Sequence, residues 1–188
     1  MLSSYAYAYQ AESETYTGVP YSKLDCQAFV EKVLYDLGVR TEANNRYNWK
    51  GSNDIWRHAL QWRGTLEECR QKYGIIPPGA LVFIVQHDGG EVDRGYHDDQ
   101  GNASHVGIFV GDGSLPVRDS TKTAHRDGVG YRTLTGFTHV GFLSMLSYKI
   151  APTTTIAEKA VSVLRNKNSS DADVLSAIEI LTTYLRRI

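Results

Sequence analysis

The chain has 188 residues, of which 41% are hydrophobic and 22% are charged, and its formal net charge is −1. This length and composition are typical of one globular domain with a small appendage. The near-neutral charge argues against a nucleic-acid-binding protein, which normally has a basic face, and no apolar run approaches the roughly 20 residues needed to cross a bilayer.

The N-terminal stretch, MLSSYAYAYQAESE, has neither a basic start nor an apolar core, so no secretory signal is visible. Three expectations stay open: the protein acts in the cytoplasm where it is made, it leaves by a signal-independent route, or its sequence is given without a leader. To about Val19 the sequence is polar and rich in tyrosine, which predicts an arm or a short helix on the domain. Two cysteines, Cys26 and Cys69, are too few for a disulfide framework, although the sequence leaves a single bridge open.

The first strongly periodic segment predicts a helix that begins near Cys26. Apolar residues recur at helical spacing between residues 29 and 37, and Gly38 follows as a stop. Asp25 has the side chain of an N-cap residue. This assignment puts Cys26 in the first turn of the helix.

Two further helices are predicted before the chain changes character. The segment Ser52 to Trp62 has apolar residues on one side at helical spacing. The sequence TLEE, Thr65 to Glu68, is a capping box, and it opens a short third helix that ends at Gly74.

The remaining part of the domain has the pattern of strands. A proline and glycine turn precedes a strand from Ala80 to Val85, and SHVGIFVGDG, residues 104–113, alternates as a second strand. Further strands are predicted over Val129 to Leu134 and His139 to Leu143. Helices first and neighbouring strands later indicate an α+β domain with a central antiparallel β-sheet.

A polar insertion, QHDGGEVDRGYHDDQGNAS, separates the first two of these strands and is too long for a hairpin turn. Its acidic and histidine side chains raise the alternative of a metal site: His87, Asp88, Asp93, His97, Asp98 and Asp99. Their spacing fits neither the calcium-loop pattern nor a cysteine and histidine zinc pattern. We therefore interpret the insertion as a solvated loop that borders a groove, with no metal and no cofactor.

The composition changes after APTTT, and we place a domain boundary near residue 151. Residues 1–150 then form the main domain, and residues 151–188 form a helical hairpin with helices at Thr155 to Leu164 and Ser170 to Ile188. Two interpretations of this appendage stay open: a module that binds another molecule or a second subunit, and simple packing against the main domain.

Cys26 is the strongest candidate for a reactive residue. A thiol attacks carbonyl groups as the thiolate, so its pKa must fall below the ordinary value of about 8.5. A helix N-terminus favours an anion through its partial positive charge and its unpaired N–H groups. Cys69 lies in mid-helix without that advantage, and we expect it to be a buried apolar residue.

His105 is the leading candidate for the partner of that thiol. An imidazole holds the thiolate as an ion pair and later protonates the leaving amine. His105 stands at the head of a predicted strand, and its small neighbours Ser104 and Gly107 keep the approach open. A third polar group usually fixes the ring of such a histidine.

Four segments occur in the order GVPYSKLDCQAFVEKVL, IPPGALVFI, SHVGIFVGDG and GFTHVGFL, within roughly residues 16 to 146. Together they resemble the NlpC/P60 family of cell-wall peptidases. They are similar to the family's catalytic-cysteine segment, its turn and strand, its catalytic-histidine strand and its closing strand. The resemblance implies a papain-like fold, with N-terminal helices packed on a central antiparallel sheet.

The resemblance also implies roles for individual residues. Cys26 is expected to be the nucleophile, and its backbone N–H is expected to contribute to the oxyanion hole. His105 is expected to be the general base and acid. Tyr21 matches a family tyrosine beside the nucleophile, and we expect it, with Asp25 and Ser104, to line the substrate site. Gln27 and Ala28 stand where the family has Ser-Gly, and the glycine pair between tyrosine and cysteine is missing.

The third catalytic residue is assigned by matching PVRDSTKTAHRDGVG to a family stretch one strand after the histidine. The match puts Asp119 at the orienting position, where a carboxylate would bond the far ring nitrogen of His105. His125, in the following turn, is the alternative.

The function implied by the resemblance is hydrolysis of amide bonds in the stem peptides of peptidoglycan, at the cell wall, without a cofactor. Phage-type or other signal-independent delivery would bring the protein there. Two alternatives stay open: an N-acetylmuramoyl-L-alanine amidase with the same cysteine and histidine order, and a catalytically silent component that binds the wall or belongs to a phage tail.

Overall fold

The computed structural model of the protein describes residues 6–40, 49–111, 113–124, 126–148, 161, 163–166 and 169–185, with backbone alone after residue 178. The described helices are α1 (Ala6–Glu12), α2 (Cys26–Asp36), α3 (Ser52–His58), α4 (Leu66–Tyr73) and α5 (Asp171–Leu185). Two short 3-10 helices span Ser13–Tyr16 and Val92–Arg94.

Six strands form one sheet: β1 (Leu60–Thr65), β2 (Leu81–Gln86), β3 (Asn102–Phe109), β4 (Val117–Lys122), β5 (Asp127–Arg132) and β6 (His139–Leu143). Their order across the sheet is β1-β6-β2-β3-β4-β5, and every neighbouring pair is antiparallel. The predicted α+β class with a central antiparallel sheet is therefore confirmed.

Helix α2 forms as predicted because its N-cap and its apolar stripe agree. The side chain of Asp25 accepts the N–H of Ala28 at 2.8 Å, and Gly38, just past the last turn, has a φ of 65°. The apolar face of α2 packs on the inner face of β3 in the larger core cluster. The buried residues of this helix face are Phe29, Val30, Val33 and Leu34. Burying each of these side chains stabilises the fold by about 1.5–3 kcal/mol.

Helix α4 is also confirmed, since the capping box at Thr65 and Glu68 forms and Gly74 ends the helix with a φ of 76°. The prediction of a helix from Ser52 to Trp62 is wrong in its second half. Helix α3 ends at His58, and Leu60 already belongs to β1, which pairs with β6. The half-buried and exposed residues alternate along β1, and its pairing partner lies about 80 residues away in the sequence.

Strand β4 was not predicted because its sequence, VRDSTK, is mostly polar. Its first four residues are nevertheless buried, including Arg118, Asp119 and Ser120. Buried polar side chains are stable only when they have partners, and these three pair with groups from other elements. Arg118, for example, donates to the carbonyl of Ser13 at 3.1 Å and to the hydroxyl of Thr17 at 2.7 Å.

The polar insertion between β2 and β3 is fastened to α3. Arg57 donates to both carboxylate oxygens of Asp98, at 2.8 and 2.7 Å, and to the carbonyl of Gly101 at 2.8 Å. The carbonyl oxygen of the Asn53 side chain accepts the N–H of Ala103 at 2.8 Å. These bonds fix the start of β3, two residues before His105.

Within the described part of the chain, no helix is both long and apolar enough to traverse a bilayer. The predicted C-terminal helix is observed as α5, and most of the helix predicted from Thr155 to Leu164 lies outside the described residues. The boundary placed near residue 151 lies outside them as well.

Candidate active site

Cys26 is the first residue of α2, at the end of the helix that stabilises negative charge. Asp25 caps the turn by taking the N–H of Ala28, so the N–H groups of Cys26 and Gln27 have no acceptor within the helix. The partial positive charge of this end attracts negatively charged groups. Cys26 is a free cysteine and is partly exposed, which leaves it open to a reacting carbonyl group.

His105, on β3, is hydrogen-bonded to Asp119 and interacts with the thiol of Cys26. Its Nε2 is 2.6 Å from Oδ2 of Asp119, and the Cys26 side chain is close enough to raise the pKa of the imidazole. Since Nε2 faces the carboxylate, Nδ1 is the ring nitrogen left for the sulfur. The order of groups is therefore thiol, imidazole, carboxylate, as in a nucleophile with a base and an orienting residue.

The charges of this site favour the protonated form of His105. Burial lowers the pKa of His105, but hydrogen bonds to Asp119 and Cys26, and their negative charges, raise it from 6.5 to about 9. Burial raises the pKa of Asp119, yet its bonds to His105 and Arg126 outweigh this effect and hold it below the usual value. Near neutral pH the pair is thus an imidazolium and a carboxylate.

The structure brings Asp119 against His105 and buries its side chain completely. Asp119 comes from β4, and the ladder between β3 and β4 includes Ile108 with Arg118. His125, the alternative orienting residue, lies outside the described residues.

Gly107 allows β4 to come close to the histidine. A Cβ atom at Gly107 would lie 2.7 Å from a methyl group of Val117 and 3.1 Å from the Cβ of Asp119. Real Cβ atoms do not approach other atoms so closely in a packed interior. A larger residue two positions after His105 would therefore push Asp119 away from the ring.

The segment that leads to Cys26 is held along β5 like an additional short strand. The N–H of Gly18 donates to the carbonyl of Val129 at 2.9 Å, and the N–H of Val129 donates to the carbonyl of Val19 at 2.9 Å. Gly128 permits this contact, since a Cβ atom there would lie 2.0 Å from the carbonyl oxygen of Val19.

Two more bonds fasten the same segment directly before α2. The N–H of Tyr21 donates to Oδ1 of Asp127 at 3.1 Å, and the buried hydroxyl of Ser120 donates to the carbonyl of Leu24. The β4–β5 hairpin therefore holds both Asp119 and the approach to Cys26. The relative position of thiol and carboxylate depends on this hairpin.

The three residues predicted to line the substrate site have different environments. Burial, followed by the negative charges of Cys26 and Asp25, raises the pKa of Tyr21, which puts the Tyr21 hydroxyl in the electrostatic field of the thiol. The side chain of Asp25 is engaged as the cap of α2. Ser104 is exposed beside His105, and its hydroxyl donates to the carbonyl of Ile84 at 3.4 Å.

Cys69 is buried in the second core cluster, as expected from the sequence. Burial raises the pKa of the Cys69 thiol to about 11. A cleft of about 580 Å³ lies elsewhere, near the β1 edge of the sheet, and its lining includes Trp62, Tyr73 and Tyr148. The residues that line this cleft include neither Cys26 nor His105. We therefore place the candidate active site at Cys26 and His105 rather than in this cleft.

Sequence reasoning did not identify two arginines of the site. Oδ1 of Asp119 accepts a hydrogen bond from Arg126, and its Oδ2 accepts one from Arg132 at 3.2 Å. Arg126 precedes β5 and Arg132 ends it. An arginine on each side of a short strand is too common to be a signal in the sequence, and only the fold directs both toward one carboxylate.

No protein-family model, curated protein or solved structure significantly matches this chain.

Proposed function

We propose that this chain is a cysteine hydrolase of papain-like NlpC/P60 type that cleaves amide bonds in the stem peptides of peptidoglycan. One observation carries the proposal: the imidazole of His105 is hydrogen-bonded to the buried carboxylate of Asp119 and, at the same time, interacts with the thiol of Cys26 in the first turn of α2. The ordered motifs that resemble the NlpC/P60 family support the substrate class.

In the first step the thiolate of Cys26 attacks the carbonyl carbon of the amide, and a carbon–sulfur bond forms. The carbonyl oxygen becomes an oxyanion, which the N–H groups at the start of α2 stabilise. The N–H of Cys26 is one of the groups that have no acceptor within the helix.

In the second step the carbon–nitrogen bond breaks, and the amine leaves with a proton from His105. Asp119 holds the ring so that one nitrogen faces the reacting groups and the other faces the carboxylate. The neutral imidazole then takes a proton from water, whose oxygen attacks the thioester. The products are a carboxylic acid, an amine and the regenerated thiolate–imidazolium pair.

Mass spectrometry of digested peptidoglycan tests this function. We expect the native chain to cut within stem peptides, and we expect Cys26→Ala to release no product. Release of glycan strands separate from intact stems would instead indicate the amidase alternative, because that enzyme cuts between muramic acid and L-Ala. No product from peptidoglycans of different stem composition would contradict a hydrolase and favour the silent wall-binding alternative.

A further inference from the structure

Asp119 makes more charged contacts than an orienting residue needs. Its Oδ2 lies 2.6 Å from Nε2 of His105 and 3.2 Å from Nη1 of Arg132, and its Oδ1 is bonded to Arg126. The carboxylate side chain is completely buried. Both of its oxygens are therefore fixed, and rotation of the carboxylate would break at least two charge-assisted hydrogen bonds.

Each arginine is also held by groups other than Asp119. Nη1 of Arg126 donates to the carbonyl of Tyr131 at 2.9 Å. Nη2 of Arg132 donates to the carbonyl of Thr135 at 3.4 Å, and its guanidinium lies 4.9 Å from the ring centre of Phe137. The two cations are thus fixed in advance, so they can hold the carboxylate rather than follow it.

The charge balance behind His105 is positive because of these arginines. Asp119 contributes one negative charge, and the two guanidiniums contribute two positive charges. A single carboxylate would stabilise the imidazolium and repel a thiolate. With both arginines present, the net charge behind His105 is positive rather than negative. It therefore destabilises the imidazolium of His105 and stabilises a thiolate at Cys26, which is the reverse of the effect of a single carboxylate.

We propose that Arg126 and Arg132 are positioning residues that fix Asp119, in its ionised form, against His105 and place a surplus of positive charge behind the thiol–imidazole pair. This role rests on the proposed function, because the positive charge matters for catalysis only if Cys26 reacts as a thiolate. Arg126 directly precedes β5, the strand at the edge of the sheet, and Arg132 ends it, so this strand would position both arginines.

The titration of His105 by NMR is the test, in a Cys26→Ala background that removes the coupled thiol. The charged groups facing His105 are then Asp119 from β4 and, through it, Arg126 and Arg132. We expect Arg126→Gln and Arg132→Gln each to raise the pKa of His105 by roughly one unit, because a nearby cation is lost. The lysine variants keep the charge, and their titration should stay close to that of the parent.

Two controls separate this role from a general loss of structure. Lys122→Gln removes an exposed cation from the end of β4, and it should leave the titration unchanged. The far-downfield proton signal of the His105 Nε2–H should persist in each single variant and vanish when both arginines are replaced. For either arginine, an unchanged or lowered pKa of His105 in the glutamine variant overturns the proposed surplus of positive charge. A downfield signal that persists when both arginines are replaced overturns the role of fixing Asp119.

This titration also keeps the two proposals apart. It needs neither a substrate nor the thiol, and it reports on the arginines even if peptidoglycan is not cleaved. If digestion fails while both glutamine variants raise the pKa of His105, the proposed function is wrong and the arginine role stands. If digestion succeeds and the titration does not move, the arginine role is wrong alone.

Discussion

Nε2 of His105 lies 2.6 Å from Oδ2 of Asp119, and this carboxylate side chain has no exposure to solvent. The contact ties β3 to β4 at the point where Cys26 approaches from α2. In a site of this kind, the carboxylate holds the ring in one orientation and stabilises its cationic form. Removing the negative charge of Asp119 should therefore lower both the pKa of His105 and the activity.

Asp119→Asn should abolish most of the activity while keeping the size of the side chain. The amide cannot stabilise the imidazolium, and burial disfavours the charged ring, so the pKa of His105 should fall well below its value of about 9 in the native chain. At pH 7.5 the thiolate–imidazolium pair would then be largely lost, and turnover of muropeptides should drop by on the order of 10³–10⁴-fold. Steady-state kinetics from pH 5 to 9, with His105 titrated by NMR, measures both effects, and full activity in this variant would contradict the assignment.

Alkylation distinguishes the two cysteines within one molecule. Cys26 is partly exposed at a helix N-terminus beside an imidazole, whereas burial raises the pKa of Cys69 to about 11. At pH 6, iodoacetamide should modify Cys26 and leave Cys69 intact, because only a stabilised thiolate reacts there.

Peptide mapping of the alkylated protein gives the ratio directly. His105→Ala should slow the labelling of Cys26 by at least about tenfold at this pH, since the imidazolium that holds the thiolate is gone. Equal and slow labelling of both cysteines in the native chain would rule out an activated thiol.

The elements that were predicted correctly are those with local signals. Helix α2 has its cap, its stripe and its stop within 14 residues, Asp25 to Gly38, and α4 has a complete capping box. Strand β1 was missed because its pairing partner β6 is distant in the sequence. Strand β4 was missed because its sequence is mostly polar, and these polar side chains are buried only because other elements supply partners. The side chain of Ser120 looks like a loop residue in the sequence, yet it is buried because Leu24 supplies a carbonyl acceptor.

The candidate site was predictable to a similar degree. Cys26 and His105 were identified from the helix start and from the family resemblance, and the structure brings them close enough for the Cys26 side chain to raise the pKa of His105. The assignment of Asp119 came from a motif match, since no local pattern identifies an orienting carboxylate. Arg126 and Arg132 were beyond reach, because their convergence depends on the path of the β4–β5 hairpin.

Gly128 should not tolerate a side chain, because a side chain would both strain its backbone angle and collide with the carbonyl oxygen of Val19. A control variant separates the two effects. The φ of Gly128 is 113°, and a Cβ atom would lie 2.0 Å from the carbonyl oxygen of Val19. Gly18 is a matched control, since its φ is 83° and a Cβ atom there meets nothing within 4 Å. The strained angle alone should cost Gly18→Ala about 1–2 kcal/mol, and the added collision should cost Gly128→Ala at least about 3 kcal/mol.

Urea unfolding of the two variants gives these free energies. Because the collision displaces the segment that leads to Cys26, Gly128→Ala should also slow the alkylation of Cys26 under conditions where it remains folded. Equal destabilisation by the two substitutions would mean that the contact between Val19 and β5 contributes nothing beyond backbone strain.

Arg57 should be required to hold the polar insertion on α3. Its side chain is 2% exposed and donates to Asp98 and to the carbonyl of Gly101. Arg57→Gln leaves these acceptors without their cation, and we expect a loss of about 2–4 kcal/mol in the free energy of unfolding. Arg94→Gln, an exposed arginine of the same insertion, should change it by less than about 0.5 kcal/mol. Chemical denaturation measures both, and similar values would show that the insertion is held by its backbone rather than by Arg57.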